Sequence, residues 1–537
     1  MKKLITCVIL IFSAQLSFAQ EWQWAKQIGG ISRDGGSALI DANNNIYCSG
    51  TFINNCYFEH DTLHATGNND MFFAKYDSAG NELWAKRIGS NNPYDTYENG
   101  GVALIDNNNA CLYFTGTFYN TLNLGSHSVT SSGGADLFIA KFDFSGNCLW
   151  LKKAGSYGDD WEGPLCLDAS GNIYFMGQLE HNGTFDTISL TPGTFLSKFD
   201  INGNILWAHN EIDHGSSTTI KIVDNTILMC GYSESKKMVI DTIILNSNNQ
   251  IDGFLARLDL NGNCISAKRF GGHSFTYALN FDLDDHNNIY LSGSFNDTMS
   301  VDGTTLTAKN SYGDMFFCKF DSAFNLIWAR QSNCNGEQGG YSQWVRKDSE
   351  DKFYVSGYFS GDASFGIYNV TASVTMDMFL VRYTQDGDCM GIIHFGEAKA
   401  NDFNIDSNGD IVVAGDFMNT VNIGGTSLTS HGYSDMFFAK TSAIVGITET
   451  KAAVSNQLLI YANPTTGKCT VTVPDDFLNA KNLMLSIFDS NGKLIQQKKL
   501  EMNEGRIKLD LEEEEKGIYN VTLSDGKRVY GGRIVFQ

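Results

Sequence analysis

Short runs of apolar residues bounded by Asp, Asn and Gly recur along the chain at a long, regular period. One run ends on a glycine: NIYCSG at Gly50, CLYFTG at Gly116, NIYFMG at Gly177, TILMCG at Gly231, NIYLSG at Gly293, KFYVSG at Gly357 and DIVVAG at Gly415. The steps between these glycines are 66, 61, 54, 62, 64 and 58 residues, so the unit is present in seven copies. A second run follows in each copy, beginning at Asp70, Asp136, Thr194, Asp252, Asp314, Asp377 and Asp435 (DMFFAKYD in the first). A third closes the copy, as in GNELWAK through Lys86, and weakens to GNCISAK and GDCMGII in copies four and six.

These runs are rich in Phe, Tyr, Ile and Val, which suits a pleated surface and predicts strands. The DMFFAKYD run is apolar on both faces, as a strand between two neighbouring sheets must be. Turns such as DANNN from Asp41 and DSAGN from Asp77 supply the positive φ that tight connections need. One period therefore predicts a four-stranded antiparallel meander with a variable hairpin after its N-I-Y-x-x-G strand. The seventh copy stops at Ser442 without a Trp strand, while Trp24–Gly29 (WAKQIG) matches Trp84–Gly89 (WAKRIG) and has no copy before it. Feeding that strand into the last sheet would leave no open edge. The expectation is an all-β, seven-bladed β-propeller of four-stranded blades over residues 20–442, with an open β-solenoid as the competing arrangement.

The pattern changes after Ser442. Residues 443–456 read as a linker, and residues 457–537 alternate as a small β-sandwich does. Residues 20–456 hold 25 basic and 49 acidic side chains, whereas Leu458–Gln537 holds 11 of each. The whole chain carries −22, which excludes binding to nucleic acid through its phosphates. Lys2, Lys3, the apolar stretch Leu4–Phe12 and Ser17-Phe18-Ala19 predict a signal peptide over 1–19. No apolar run in the mature chain is long enough for a transmembrane helix.

The repeats, through D-x-x-G-N-I-Y-x-x-G, G-x-x-D-x-F-x-x-K-x-D and G-N-x-L-W, resemble bacterial SBBP-type β-propeller repeats. The last 80 residues resemble the C-terminal (Por) sorting domain of type IX secretion substrates. Asn463, Pro464 and Gly467 carry that resemblance with Gly492 and Lys493 and with Gly517 and Tyr519. It implies the type IX secretion machinery as partner and a secreted or outer-membrane surface location.

Candidate chemistry is sparse. No nucleophile elbow, phosphate loop, dinucleotide fingerprint or C-x-x-C pair is present. The cysteines left after the signal read as small buried apolar residues. Glu59-His60-Asp61-x-x-His64 occurs in one copy only and is expected on a solvated hairpin, so no metal site is assigned. Asp41-x-Asn43-x-Asn45 copies the opening of a calcium loop but lacks its later Gly and Glu, so Asx-turn chemistry is the expectation and calcium stays the one candidate ion. The loops entering each copy are the better candidates, because in a propeller they open on the channel face. They place Tyr97 and Glu98, then Asp159, Asp160, Trp161 and Glu162, then Tyr341 and Trp344. Carboxylates beside aromatic rings suit a sugar, with the ring on its C–H face and the acids on its hydroxyls. The expected role is non-enzymatic recognition or adhesion toward a glycan or protein ligand. The alternative is a secreted carbohydrate-active enzyme using these acids.

Overall fold

The computed structural model describes residues 22–537 apart from 32–33, 67–68, 91–98, 214, 247–250, 374, 445–457, 459, 462–464, 475–476, 478–482, 489–493, 501–504, 513, 515, 525–528 and 537. The expectations at residues 1–19, Tyr97, Glu98, Asn463, Pro464, Gly492 and Lys493 lie outside the described residues. The chain divides into two compact units, residues 1–445 and 446–537. Among the described residues every regular element is a β-strand, and no helix is long and apolar enough to cross a membrane.

Among the described residues of the first unit, seven antiparallel four-strand meanders follow one another. The first is Gly35–Ile40, Ile46–Phe52, Asp70–Tyr76 and Glu82–Ile88, and the sixth is Gly340–Lys347, Phe353–Phe359, Asp377–Tyr383 and Cys389–Gly396. In the seventh, Ala398–Ile405, Ile411–Phe417 and Asp435–Thr441 take Trp22–Ile28 as their fourth strand, with Ala25 opposite Ala439 and Ile28 opposite Met436. Apolar clusters lie between consecutive sheets. Phe73 and Phe114 share one, and Cys48 and Phe72 of the first sheet share another with Val412 and Phe438 of the seventh. The first strands of consecutive sheets also pack side by side, that of the seventh beside that of the first.

The repeat motifs are explained by how one sheet holds the next. In the D-x-x-G-N turns one carboxylate oxygen accepts two backbone N–H groups and the other accepts the Asn amide. Asp77 takes the N–H of Ala79 and Asn81 at 2.9 Å each and the Asn81 side chain at 2.8 Å. That is an Asx turn, and its acceptors face protein donors. KDSEDK keeps the same backbone bonds around Asp348, whereas VDNT becomes a two-residue hairpin with Asp224 and Asn225 both at positive φ. The turn glycine receives the tryptophan of the preceding sheet. A Cβ on Gly146 (φ +73°) would stand 2.9 Å from the Trp84 ring, and one on Gly80 would stand 3.2 Å from Trp24 of the seventh sheet.

The third-strand cation makes a second tie. Lys75 Nζ lies 4.9 Å above the Tyr47 ring and donates to the Phe144 carbonyl in the next sheet at 3.3 Å. Lys141 repeats this over Tyr113 at 5.6 Å, donating to Ile201 O at 3.1 Å. Desolvated contacts of this kind contribute on the order of 1–2 kcal/mol each. The Asp that opens the third strand anchors the outer hairpin: Asp136 accepts Ser132 N at 3.0 Å and pairs with Lys153 at 2.7 Å.

The variable hairpins cover the outer edge of the preceding sheet. Tyr57 N donates to Gly29 O at 2.9 Å, Ala154 and Gly155 pair with Phe185 and Thr184, and Ile212 pairs with Ile240. Glu59-His60-Asp61 lies at the tip of the first such hairpin, and His64 ends its second strand opposite Asn55. There Glu59 pairs with Lys26 at 3.2 Å, His60 N donates to Glu82 at 2.6 Å and His64 bonds Asn55 at 2.8 Å.

The second unit stacks Ile460–Tyr461, Lys468–Thr472 and Arg506–Asp510 in one sheet and Leu483–Phe488, Leu494–Leu500, Gly517–Ser524 and Val529–Phe536 in another. Its core holds Val471, Ile487, Val521 and Ile534. Gly467 sits at φ +127°, where a Cβ would meet Glu512 at 2.7 Å, and its carbonyl accepts Leu511 N at 2.7 Å. Tyr519 is buried opposite Ile534, and Gly517 stands at the exposed start of its strand opposite Phe536.

Two predictions follow from the sheet junctions. Gly146→Ala and Gly409→Ala both put a side chain at positive φ, costing about 1 kcal/mol each. Only at Gly146 would the methyl also meet a ring, since nothing lies within 4 Å of the Gly409 position. Chemical unfolding should therefore show the larger loss for Gly146→Ala. At the junction of the seventh and first sheets, buried Asp34 accepts Gly30 N at 2.5 Å and Ile53 N at 3.3 Å. Burial, with a smaller contribution from Asp435, pushes its carboxyl from 3.8 up to about 7. The folded state then holds a proton the unfolded state has released, so stability should fall as pH rises through the window from about 4 to about 7. Asp34→Asn should narrow the difference in melting temperature between about pH 5 and about pH 8 relative to the parent.

Candidate functional site

The cross-strand registers define a set of equivalent positions where the first strands begin. In each second strand the residue after the repeat glycine is Thr51, Thr117, Gln178, Tyr232, Ser294, Tyr358 or Asp416. Their partners on the first strands are Gly35, Asn99, Trp161, Ser216, Tyr277, Tyr341 and Lys399. The glycine keeps the two strands close, and the pair beyond it differs in every copy. On sheets one and two these pairs hold no aromatic residue, on sheets three to five each holds one, and on sheet six both members are tyrosines.

The aromatic pairs touch. Tyr232 and Tyr277 meet edge to face with centroids 4.8 Å apart, Phe275 stacks on Tyr277 at 6.2 Å, and Tyr341 stacks on Tyr358 at 5.2 Å. Lys399 Nζ lies 5.1 Å over the Tyr358 ring. Tyr341 donates to Tyr312 O at 3.3 Å. Burial raises the Tyr277 hydroxyl, and Tyr232, Glu234 and Tyr341 add to the rise. Tyr358 is pushed up to about 12 by burial, then by Tyr341 and Asp416. Trp161, 48% exposed, stands at the equivalent place on sheet three, and Tyr157, 80% exposed, lies four residues earlier in the chain.

The structure separates the residues that sequence reasoning grouped. Asp160 is buried and saturated: its carboxylate accepts Ser156 N at 2.5 Å, Ser156 Oγ at 2.7 Å and Glu180 N at 2.9 Å. It holds the loop rather than a ligand, and burial raises its carboxyl. Asp159 is exposed but accepts Ala135 N at 2.9 Å and the Tyr119 hydroxyl at 3.2 Å, which fixes the loop to sheet two. Glu162, next to Trp161 on the first strand, has its carboxyl raised by burial. Trp344 is corrected from rim to packing: it lies half-buried against the cluster between sheets six and seven, with Arg346 5.0 Å over its ring. Trp161 and Tyr341 lie on the first strands opposite the residue that follows the repeat glycine. Tyr232, Tyr277, Tyr358 and Lys399 were missed, although aligning the copies on their glycine and reading one residue beyond exposes the variable position.

A cleft of about 550 Å³ lies outside this rim between sheets six and seven, lined by His394, Glu397 and Asn422 among others. His394 pairs there with buried Asp377 at 2.8 Å, the place Arg87 and Lys153 take in their own sheets. Among the described residues no group of three or more His, Cys, Asp or Glu side chains is placed to hold a metal ion. The described cysteines are free thiols, mostly buried.

Residues 459–537 match the family described as secretion system C-terminal sorting domain. That domain marks the chain for export by type IX secretion, to the medium or to the cell surface. An uncharacterized WD repeat-containing protein of Acanthamoeba polyphaga mimivirus is 23% identical over 427 residues, 62% of this chain. The chain spans only 30% of that relative's length. Among solved structures, the Dos1 propeller is 8% identical with a TM-score of 0.40, covering 79% of this chain and 95% of its own. A glycoside hydrolase family 32 protein from Bifidobacterium adolescentis is 9% identical with a TM-score of 0.24, covering 96% and 95%.

The two tryptophans should separate in stability measurements. Trp344→Ala empties part of an apolar cluster and should cost about 2 kcal/mol, less than a fully buried ring would. Trp161→Ala should stay within about 0.5 kcal/mol of the parent in thermal denaturation.

Proposed function

We propose that residues 20–442 form a seven-bladed β-propeller of SBBP type, its ring closed by the N-terminal strand. In this reading the type IX machinery delivers it to the outer-membrane surface or the medium, where it serves as a non-enzymatic recognition or adhesion module. The closure is supported by the pairing of Trp22–Ile28 with Asp435–Thr441 and by the apolar cluster shared by the seventh and first sheets.

The observation that carries the binding role is the rim. The frame repeats from copy to copy, while one cross-strand pair per sheet changes and gathers Trp161, Tyr232, Tyr277, Tyr341 and Tyr358. Exposed and partly buried aromatic faces of this kind suit the C–H faces of a glycan. A protein ligand is the other candidate. Catalysis by the acids at Asp159–Glu162 is the competing reading. It is disfavoured because Asp160 already accepts three hydrogen bonds and Asp159 is committed to its loop.

A glycan array with the mature chain, run beside hydrolysis assays on every glycan bound, tests this role. Binding without turnover, weakened at least about tenfold in a Trp161→Ala variant of unchanged melting temperature, is the expected result. Turnover of a bound glycan would assign the enzyme reading instead.

A further inference from the structure

The junction of sheets six and seven lacks a tie that the others have. Gly271, at the end of a fourth strand, and Ser300, third in the hairpin strand Thr298–Val301, exchange backbone bonds of 2.9 and 3.3 Å. Gly29 and Tyr57 do the same between the seventh sheet and the first. Their counterparts between sheets six and seven are Gly396 and Asn422, and among the described residues no backbone bond joins these two. Both instead line the cleft of about 550 Å³, a volume in the range that small-molecule sites take. Only Glu397 separates Cys389–Gly396 from Ala398–Ile405, so one residue makes the turn from sheet to sheet. It does so at φ +56°, its N–H donating to Met376 O and its carbonyl accepting Met418 N at 2.9 Å each. Gly339 stands at the same place in the sixth sheet, at φ +66°, with its carbonyl accepting Ser360 N at 3.1 Å. Where one copy has the glycine that this backbone favours, the next accepts the strain of a side chain.

That side chain is a carboxylate with no bonded donor among the described residues. In the same cleft His394 is held in place: fully buried Asp377 accepts its Nδ1–H at 2.8 Å, together with Ser373 N at 3.0 Å and Ser373 Oγ at 2.9 Å. Among the described residues His394 Nε2 has no hydrogen-bond partner. Asn422 gives its Oδ1 to Gly425 N at 3.0 Å, which leaves its amide hydrogens for the cleft. Acceptors at Glu397 and His394 therefore face donors at Asn422. An ammonium group would satisfy only the acceptors, and a carboxylate would meet Glu397 as a like charge. A sugar hydroxyl donates and accepts at once, and half-buried Phe395 adds an apolar wall for the C–H face. We propose that this cleft is a second ligand site, separate from the rim, that holds one neutral sugar residue between Glu397, His394 and Asn422. It stands on the cleft alone and does not rest on the reading of the rim.

Titration of the mature chain with the methyl glycosides of glucose, galactose and mannose, followed by saturation-transfer NMR, tests it, with glucosamine and glucuronate as charged counterparts. At least one neutral glycoside should bind, and more tightly than either charged sugar. Glu397→Gly gives the turn the residue that Gly339 supplies one sheet earlier. It should fold with a melting temperature close to the parent's and lose at least about tenfold in affinity. Asn422→Ala, on the exposed hairpin, should weaken the same glycoside several-fold, and Trp161→Ala, at the rim, should leave it unchanged. Binding that survives both Glu397→Gly and Asn422→Ala would overturn the site, and its loss in Trp161→Ala would move the sugar to the rim. Tighter binding of glucosamine or glucuronate would overturn the neutral class. No binding of any neutral glycoside would overturn the proposal outright.

Discussion

Every four-strand sheet has two edges whose backbone groups must be covered, and the arrangement of the first unit follows from that requirement. On the outside the hairpin of one copy pairs with the fourth strand of the copy before it, as Phe185 does with Ala154. On the inside the first strands lie side by side and exchange side-chain bonds: Thr219 donates to Leu279 O at 3.0 Å, Asn280 to Thr219 at 2.9 Å, and Lys221 pairs with Asp282 at 2.6 Å. Each copy therefore completes its neighbour rather than itself. Glycine is required where the backbones meet closely, since a Cβ on Gly30 would stand 1.7 Å from Asn55 O and one on Gly272 1.5 Å from Thr298 O.

The two ends of the strands divide the work. At the turn end, Asx turns, buried cations and tryptophans are occupied in binding sheet to sheet, and a change there would be felt by two copies at once. At the opposite end the residue after each repeat glycine changes in size and chemistry from copy to copy. Variation is tolerated there, and Thr51, Gln178, Tyr358 and Asp416 occupy one and the same place.

The strands were readable in the sequence because the constraints that make them are repeated. Trp84 and Gly146 recur as motif letters, although nothing in their spacing says that one packs on the other across a sheet boundary. The candidate site was only partly readable, for the converse reason. Asp160 beside Trp161 looked like ligand chemistry, but Ser156 and Glu180, whose N–H groups its carboxylate accepts, are distinguished by loop geometry rather than composition. Tyr232 and Tyr277 come from different copies and meet only when sheets four and five are side by side.

The pairing of Trp22–Ile28 with Asp435–Thr441 also gives the fold a test of its own completeness. The earliest described strand of the first unit pairs with a strand of its seventh copy, so a chain stopped after any earlier copy leaves Trp22–Ile28 without that partner. Such a fragment can stick to another fragment or be taken by a protease. In the complete first unit both of these edges, Trp22–Ile28 and Asp435–Thr441, are paired with each other.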